Sequence, residues 1–408
     1  MQLEELEPWA EAFEAFHERF ADLFCRQEPR EQVVKYLRSL LASVERKNGW
    51  QLAEANGDKT PDATQRLLYQ AKWDADAARD RLEQFVVQVF GDEWGIGVVD
   101  ETGFIKKGDK SVGVQRQYSG TAGKRENCQI GTFLSYASCH GHVFLDRRLY
   151  LPESWSAAPE RRVQAKVPEH VVFETKPQQA VKMLQHAWEM GVPMRWVTGD
   201  EVYGDSPDLR EAVADSGRWY VLAVRTNITV WLDRPEIAVP EWAGTGRKPV
   251  KAQVIENGVK PMPVPAVAAS WPESRWQRLA VAEGEKGPRV YEWAWQRIVE
   301  NQDQLPGRDS WLLVRRSTTD PTEIAYYLSN APVETDLLTL AQVASTRYTV
   351  EQCIEEAKGE TGLDHYEVRY WHSWYRHITL SMMAHAWLAS IRLQHNREKG
   401  VKNPSWRN

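Results

Sequence analysis

The stretch Ile96-Gly97-Val98-Val99-Asp100, together with Val197-Thr198-Gly199-Asp200, decides the reading of this 408-residue chain. Each is a short apolar run, too short for a helix and rich in strand formers, and each stops on an aspartate beside a glycine. Around the first run the period of the sequence changes. Val112 to Tyr118, Gln129 to Tyr136 and Val143 to Leu151 follow as further strand-forming stretches separated by Gly and Lys turns, which predicts an antiparallel ribbon. An amphipathic helix from about Gln178 to Met190 precedes the second run. A helix from Pro207 to Ala214, with Ser206 as its cap, and the strand Trp219 to Val224 follow it. Strands and helices in this succession define an α/β core.

Working outward, residues 1–92 read as helices. Trp9, Phe13, Phe16 and Phe20 recur at helical spacing, as do Leu82, Phe85, Val86 and Val89, and Thr60-Pro61 opens a short helix over Asp62 to Tyr69. Short helices with polar turns fit a helix-turn-helix module or a plain bundle equally. Residues 228–343 are richer in Pro, Gly and Trp, with strand-like stretches at Arg289 to Trp295, Ser310 to Val314 and Ile324 to Leu328, and read as a β-rich insertion. From Val343 to Gln394 the pattern is helical again. The expected organisation is a helical region over 1–92 for DNA binding or dimerisation, an α/β core over 93–227 and 344–395 interrupted by the insertion at 228–343, and a basic tail over 396–408. No internal repeat or low-complexity tract is present.

Composition bounds the function. At 42% hydrophobic and 26% charged residues the chain can bury a substantial core, which excludes general disorder. No window approaches 18 consecutive apolar residues, and the opening Met1 to Phe13 is acidic and amphipathic, unlike a secretory signal, so a cytoplasmic location and no membrane partner are expected. Cys25, Cys128, Cys139 and Cys353 stand far apart with no Cys-x-x-Cys, which argues for reduced thiols and against a zinc finger. The net charge of −6 speaks against a nucleic-acid partner until its distribution is read. Residues 1–30 alone carry −5, whereas the segment from His365 onward carries +5 and five of the ten histidines. That basic segment is either a solvated helix face or a surface for phosphate.

Asp100 and Asp200 sit where ligands bind in open α/β sheets, beyond strand ends. Taken singly, an aspartate at such a place is a turn former or cap. The third element is a predicted helix on which Arg347, Glu351, Glu355 and Lys358, spaced by four, four and three, project from one side while Val350, Cys353, Ile354 and Ala357 lie elsewhere. Such a stripe is an intrahelical ion-pair ladder unless chemistry requires its acids. Phosphoryl transfer would: two hard divalent cations about 3.5 to 4 Å apart need several carboxylate oxygens, and three acids from three elements supply them. Lys106, Lys107, Lys110, Arg116, Lys124 and Arg125, between the first acid and the third strand, are candidates for phosphate contacts, or for protection of a sheet edge.

On Val98-Val-Asp100-Glu-Thr-Gly-Phe104, Val197-Thr-Gly-Asp200-Glu-Val-Tyr-Gly204, Arg347-x3-Glu351-x6-Lys358, Gly362-Leu-Asp-His-Tyr-Glu-Val-Arg369 and Trp374-Tyr-Arg-His377, the chain resembles insertion-sequence transposases of the DDE type, in the subgroup with a Tyr-Arg-Glu-Lys signature. The resemblance covers about Ile96 to Leu388. It implies a ribonuclease-H-like mixed-sheet catalytic core, with Asp100, Asp200 and Glu351 as catalytic, metal-holding acids and Arg347 and Lys358 in support. The signature Tyr falls on Ala344, with Tyr348 nearby, which leaves Glu355 as an alternative third acid. It further implies two Mg2+ ions, replaceable by Mn2+, cutting at the terminal inverted repeats of a mobile element, joining of the freed 3′ hydroxyl to target DNA, a homodimer on paired ends of double-stranded DNA, and a bacterial, nucleoid-associated protein. The DNA-binding set expected with it is Lys106, Lys107, Arg116, Lys124, Arg125, Tyr203, Arg369, Arg376 and His377.

Other readings are open. Trp271, Trp276, Trp293, Trp295 and Trp311 in the insertion are core residues or a stacking surface for a flipped base. Trp371, Trp374, Tyr375, Arg376 and His377 interleave aromatic and basic groups suited either to DNA or to the core. His140 and His142 flank Gly141 without further ligand spacing, so no zinc site is expected there. Paired acids with many tryptophans also fit a glycoside hydrolase, against which stand the acidic, unsignal-like start and the Arg and Lys around the acids. A DNA-binding regulator derived from a transposase is the remaining alternative.

Overall fold

The computed structural model describes residues 3–242, 249–256, 258–284, 287–320 and 322–400. Lys402 and Arg407 of the expected basic tail lie outside them. Along the chain, helices α1 (Leu3–Glu18), α2 (Gln27–Leu41), α3 (Gly49–Ala55), α4 (Asp62–Tyr69) and α5 (Ala75–Phe90) precede strands β1 (Gly95–Ile105), β2 (Gln115–Ser119), β3 (Lys124–Ser138) and β4 (Gly141–Tyr150). Two short helices, α6 (Glu153–Ser156) and α7 (Pro159–Gln164), lead to α8 (Lys176–Glu189), which opens on a capping box between Thr175 and Gln178. Then come β5 (Met194–Gly199), α9 (Glu201–Gly204), α10 (Pro207–Asp215), β6 (Trp219–Val224), the small strands β7 (Thr229–Trp231), β8 (Ile237–Ala238), β9 (Gln253–Val254) and β10 (Met262–Pro263), α11 (Val264–Ala269), and the long hairpins of β11 (Gln277–Gly284), β12 (Gly287–Gln302), β13 (Leu305–Ser317) and β14 (Ile324–Ser329). The chain closes on α12 (Leu337–Thr346), α13 (Tyr348–Thr361) and α14 (Trp371–Glu398).

The α/β class expected from the sequence is the class found, with helices from the start and mixed strands thereafter. The compact units divide the chain differently from the sequence reading: one comprises residues 1–194 and 348–408, the other 195–347.

In the first unit β3 is the centre. β1 pairs antiparallel along one edge, with Asp100 opposite Phe133; β2 and β4 share the other edge, β2 along residues 124–128 and β4 along residues 130–138. Alternation along β3 sends successive side chains to opposite faces. Thr132 bonds Gln179 of α8 at 2.9 Å on one face. Phe133, on the other, packs against Phe104 and Phe144. The second face is covered by α13 and by α14, whose Trp374, fully buried, donates to the Tyr366 hydroxyl at 2.9 Å, which in turn donates to Gln129 of β3.

The helices of residues 1–92 do not form a body of their own; α2, α4 and α5 pack on α14. Lys47, only 5% exposed, donates from its ammonium to the carbonyls of Leu40, Ala42 and Glu360, the last at 2.7 Å, so it satisfies the open end of α13. The Tyr36 hydroxyl bonds His377 Nδ1 at 2.7 Å.

Beneath α5, the Asp146 carboxylate of β4 is completely buried and receives Arg79 Nη1 at 2.8 Å and Arg147 Nη1 at 3.3 Å. Arg147, 1% exposed, also donates to Asp76, to the Ala75 carbonyl and to Thr379 of α14.

The second unit is a mixed sheet. β5 and β6 pair parallel, with Trp196 opposite Trp219, and β6 continues antiparallel through β14, β13, β12, β7 and β10, with β11 also on β12. The strands expected at Arg289–Trp295, Ser310–Val314 and Ile324–Leu328 fall within β12, β13 and β14. Most of the insertion's tryptophans are packing residues: Trp293 has no exposure, Trp271 and Trp311 have 8%, and Trp295 stacks on Trp311 at 4.3 Å. Glu300, buried, is held by Arg210 Nε at 2.8 Å and by Ser310 Oγ at 2.6 Å.

Removing one partner of a buried ion cluster leaves the others uncompensated. Asp146→Asn is therefore expected to lower unfolding free energy by roughly 3–5 kcal/mol in urea denaturation, whereas Arg38→Ala at the exposed Glu14 pair changes it by less than about 1 kcal/mol. Burial would raise the Asp146 carboxyl, but Arg79 and Arg147 outweigh it and hold the group below the ordinary range. Its contribution is thus present at neutral pH and lost as pH falls below about 4; equal acid sensitivity of wild type and Asp146→Asn would contradict this.

Candidate catalytic site

On β1, Asp100, Thr102 and Phe104 alternate onto one face and Glu101 onto the other, where it pairs with Lys176 at the start of α8. The Asp100 face is the one covered by α13, because Asp100 stands opposite Phe133 and because Lys358 of α13 reaches the same face. The Lys358 ammonium donates to Thr102 Oγ1 at 2.9 Å and to Thr121 Oγ1 at 3.1 Å, and lies 5.8 Å from the centre of the Phe104 ring. Burial lowers its pKa, with Asp364 and Glu355 acting in the opposite sense.

Lys358 meets Thr102, and Tyr366, beyond the end of α13, meets Phe104 and Lys106 further along β1. Glu351 stands two turns before Lys358, on the same stripe of α13. Glu351 is half-buried, Glu355 is exposed, and Glu356 is engaged by His385 Nε2 at 3.1 Å and Arg392 at 2.7 Å. The Asp100 carboxylate, half-buried, accepts the Glu101 N–H at 2.7 Å.

Asp200, in the second unit, ends β5 and caps α9, its carboxylate accepting the Val202 N–H at 2.9 Å. The glycine closing that motif is required by packing: a Cβ on Gly204 would run into the Ala223 carbonyl of β6. Arg347 departs from expectation. The helix carrying the polar stripe is interrupted there, with Arg347 capping α12 and α13 starting at Tyr348. The Ser345 and Thr346 hydroxyls bond back to the Ala341 and Gln342 carbonyls, a competition with the helical ladder that favours a break. Arg347 and Glu201 both act electrostatically on Tyr327 of β14, whose hydroxyl is pushed up chiefly by burial.

The expected DNA-binding residues separate into two sets. Lys107, Arg116, Lys124, Arg125 and Arg369 are exposed. Arg116 and Tyr118 alternate onto one face of the β2–β3 hairpin, and Arg125 stands opposite Tyr118, so the three share that face. Of the remaining four, Tyr203 and His377 are buried, and Arg376 and Lys106 are half-buried with their cationic groups turned to the protein's own carbonyls. Tyr203 and His377 have no exposed surface, and His377 is fixed between the Tyr36 hydroxyl and the Gly362 carbonyl and brought down to about 3 by burial. Arg376 donates to the Leu68 and Trp73 carbonyls. Lys106 donates to the Tyr366 carbonyl at 2.9 Å with its ammonium 3.5 Å above the Tyr366 ring. Aromatic and basic residues interleaved on an amphipathic segment looked like a nucleic-acid surface; here the cations serve orphan carbonyls of the core.

Three features had no local signal in the sequence: the Thr102–Lys358–Thr121 junction, the Lys47 cap, and a group formed by Asp80 and Glu83 of α5 with His186 of α8, whose ligand-type atoms all lie within 4.8 Å of one another. Only the Asp80-x-x-Glu83 spacing was visible in the chain.

Residues 19–288, more than half of the chain, match the family model described as DDE superfamily endonuclease, and the chain belongs to that family. The matched stretch takes in Asp100 and Asp200 and stops before Glu351. Over 214 residues the chain is 27% identical to a probable transposase for insertion sequence element IS701 from Microchaete diplosiphon, covering 52% of this chain and 53% of that protein. It thus spans about half the length of this curated relative. Among solved structures it is similar to a piggyBac transposase in a synaptic complex with hairpin DNA, at 12% identity and a TM-score of 0.38 over 93% of this chain and 69% of that one. It is also similar to the NurA nuclease from Sulfolobus solfataricus, at 9% identity and a TM-score of 0.28 over 73% and 94%.

Burial, only partly offset by Asp364 and Glu367, brings Lys106 down to about 7 from an ordinary 10.5. Between those values the unfolded chain binds more protons than the folded one, so this lysine makes stability rise with pH across that window. Lys106→Met is expected to remove that rise in urea denaturation at pH 7, 8.5 and 9.5; an unchanged slope would contradict the desolvation of the Lys106 ammonium against Tyr366.

Proposed function

We propose that the protein is an insertion-sequence transposase of the Tyr-Arg-Glu-Lys subgroup, with a ribonuclease-H-like core. It cuts DNA at the element's terminal repeats and joins the 3′ hydroxyl to target DNA. The observation that carries this reading is that Asp100 lies on the sheet face to which Lys358 ties α13, the helix that also bears Glu351, in a chain of the DDE superfamily endonuclease family.

The donor chemistry of each of the three acids suits a divalent metal. Asp100, Asp200 and Glu351 offer only carboxylate oxygens, the donor type that Mg2+ and Mn2+ take, and neither Asp100 nor Glu351 is sealed in the interior. Two such ions would activate an attacking water or hydroxyl and stabilise the departing 3′ oxygen. The chain's own work is positional. Lys358, locked to Thr102 and Thr121, fixes the height of α13 against β1 and so the reach of Glu351. Asp200 is held in place by its own cap on α9. The exposed Lys107, Arg116, Lys124, Arg125 and Arg369 are placed to meet phosphates, giving register on the duplex rather than base readout. Assembly as a homodimer on paired ends and action in the bacterial cytoplasm, at the nucleoid, belong to the same proposal. No helix among the described residues is long and apolar enough to cross a membrane.

Strand cleavage on element-end DNA with Mg2+ tests the assignment of acids. Asp100→Ala, Asp200→Ala and Glu351→Ala are each expected to reduce cleavage by at least about 100-fold, more than the loss typical of an outer-shell change, while Glu355→Ala remains within about tenfold of wild type. Retained cleavage in Glu351→Ala with loss in Glu355→Ala would transfer the third role to Glu355.

Arg116→Ala with Arg125→Ala is expected to weaken binding to duplexes of any sequence alike and to flatten the dependence of affinity on salt by about two phosphate contacts. A sequence-selective loss, read by filter binding from low to moderate salt, would instead make the hairpin a base reader.

A further inference from the structure

We infer that Asp80, Glu83 and His186 form a second divalent-cation site, of the Zn2+ type, that clamps α5 to α8 apart from the acids proposed for catalysis. His186 Nε2 lies 2.9 Å from Asp80 Oδ1 and 3.5 Å from Glu83 Oε2, and all three ligand-type atoms fall within 4.8 Å of one another. Donors at about 2.0 to 2.2 Å from a tetrahedral Zn2+ lie a little over 3 Å apart, which matches this grouping.

The independent observation is Glu83. Its side chain has no exposed surface, and neither of its carboxylate oxygens has a hydrogen-bond partner. Burying a carboxyl in that condition costs several kcal/mol unless it is protonated or gripped by a cation. Charge supports the second outcome. Asp80 and Asp146 act on Glu83, with Arg79 and Arg147 beside them. Three carboxylates against two guanidinium groups leave an excess of negative charge when His186 is neutral. Arg148, the further cation acting on Asp146, is paired with Glu174 at 3.8 Å. A divalent cation compensates that excess. Arg79 Nε, donating to Asp80 Oδ1 at 2.7 Å, then orients a ligating carboxylate in the way outer partners do at metal sites.

Ligand chemistry selects the ion. An imidazole with two carboxylates suits Zn2+, and Co2+ in its place, whereas Mg2+ prefers oxygen donors and retains its waters. His186 and Asp80 are each partly exposed, 25% and 36% by side chain, so an ion has an entry path.

The test uses the full chain carrying Asp100→Ala, Asp200→Ala and Glu351→Ala, so that the acids proposed for catalysis contribute nothing. Zn2+ alone, and Mg2+ alone, are titrated by isothermal calorimetry at pH 7.5, and Co2+ by visible absorption. One Zn2+ per chain is expected, with a tetrahedral Co2+ spectrum and no Mg2+ binding in the same range. His186→Gln and Glu83→Gln, each made on that background, should weaken Zn2+ binding at least about 100-fold and abolish the rise in Tm that Zn2+ gives the parent. Glu83→Gln replaces the buried carboxylate with a neutral isostere, and His186→Gln acts at a partly exposed position, so a folded circular-dichroism spectrum is expected of both. Absence of Zn2+ binding by the parent, or binding equally tight in either folded variant, would overturn the site.

Discussion

The attachment of one ammonium group to one strand governs the candidate site. Lys358 bridges Thr102 of β1 and Thr121 of the turn before β3, and so ties the body of α13 to the Asp100 face. A half-buried lysine is worth keeping charged only where several oxygens receive its protons, and three do so here, the third being the Gly103 carbonyl at 3.5 Å. Because the helix is rigid over its two turns from Lys358 back to Glu351, this junction also sets where the Glu351 carboxylate is presented. Lys47, on the other side of the helix end, holds the Glu360 carbonyl and prevents α13 from sliding along its axis.

The first unit is organised by buried charge as much as by apolar packing. On one side of β3 the aromatic cluster of Phe104, Phe133, Phe144 and Trp374 is continuous. Towards α5 and α8 the acids and arginines around Asp146 form a polar seam, which is costly to bury and so depends on pairing to hold the elements in one register. That seam joins the helices before β1 to β4 and α14, and explains why residues 1–92 do not make a separate body although their sequence reads as a helical region apart from the strands.

Much of this was legible in the chain. Strand-forming runs ending on Asp100 and Asp200 became β1 and β5, although β1 continues beyond Asp100 to Ile105 because Thr102 and Phe104 keep the alternation that pairs with β3. Ser206 caps α10 as its position announced. The helix carrying Glu351 and Lys358 was visible from their spacing; its break at Arg347 was not, because the Ser345 and Thr346 hydroxyls act through geometry that spacing does not encode. Surface and interior were the harder distinction. Arg376 and His377 have the residue types of a DNA contact, yet their partners, the Tyr36 hydroxyl and the carbonyls of Leu68, Trp73 and Gly362, are invisible to any local pattern. The same holds for His186, which lies about a hundred residues from the acids it meets.

The measurement closest to the central claim is anomalous diffraction from crystals of the full chain soaked in Mn2+. The account predicts a manganese peak within coordination distance of carboxylate oxygens from both Asp100 and Glu351, with Lys358 still seated on Thr102. Manganese bound by Glu355 in place of Glu351, or Asp100 and Glu351 too far apart to share an ion, would contradict it.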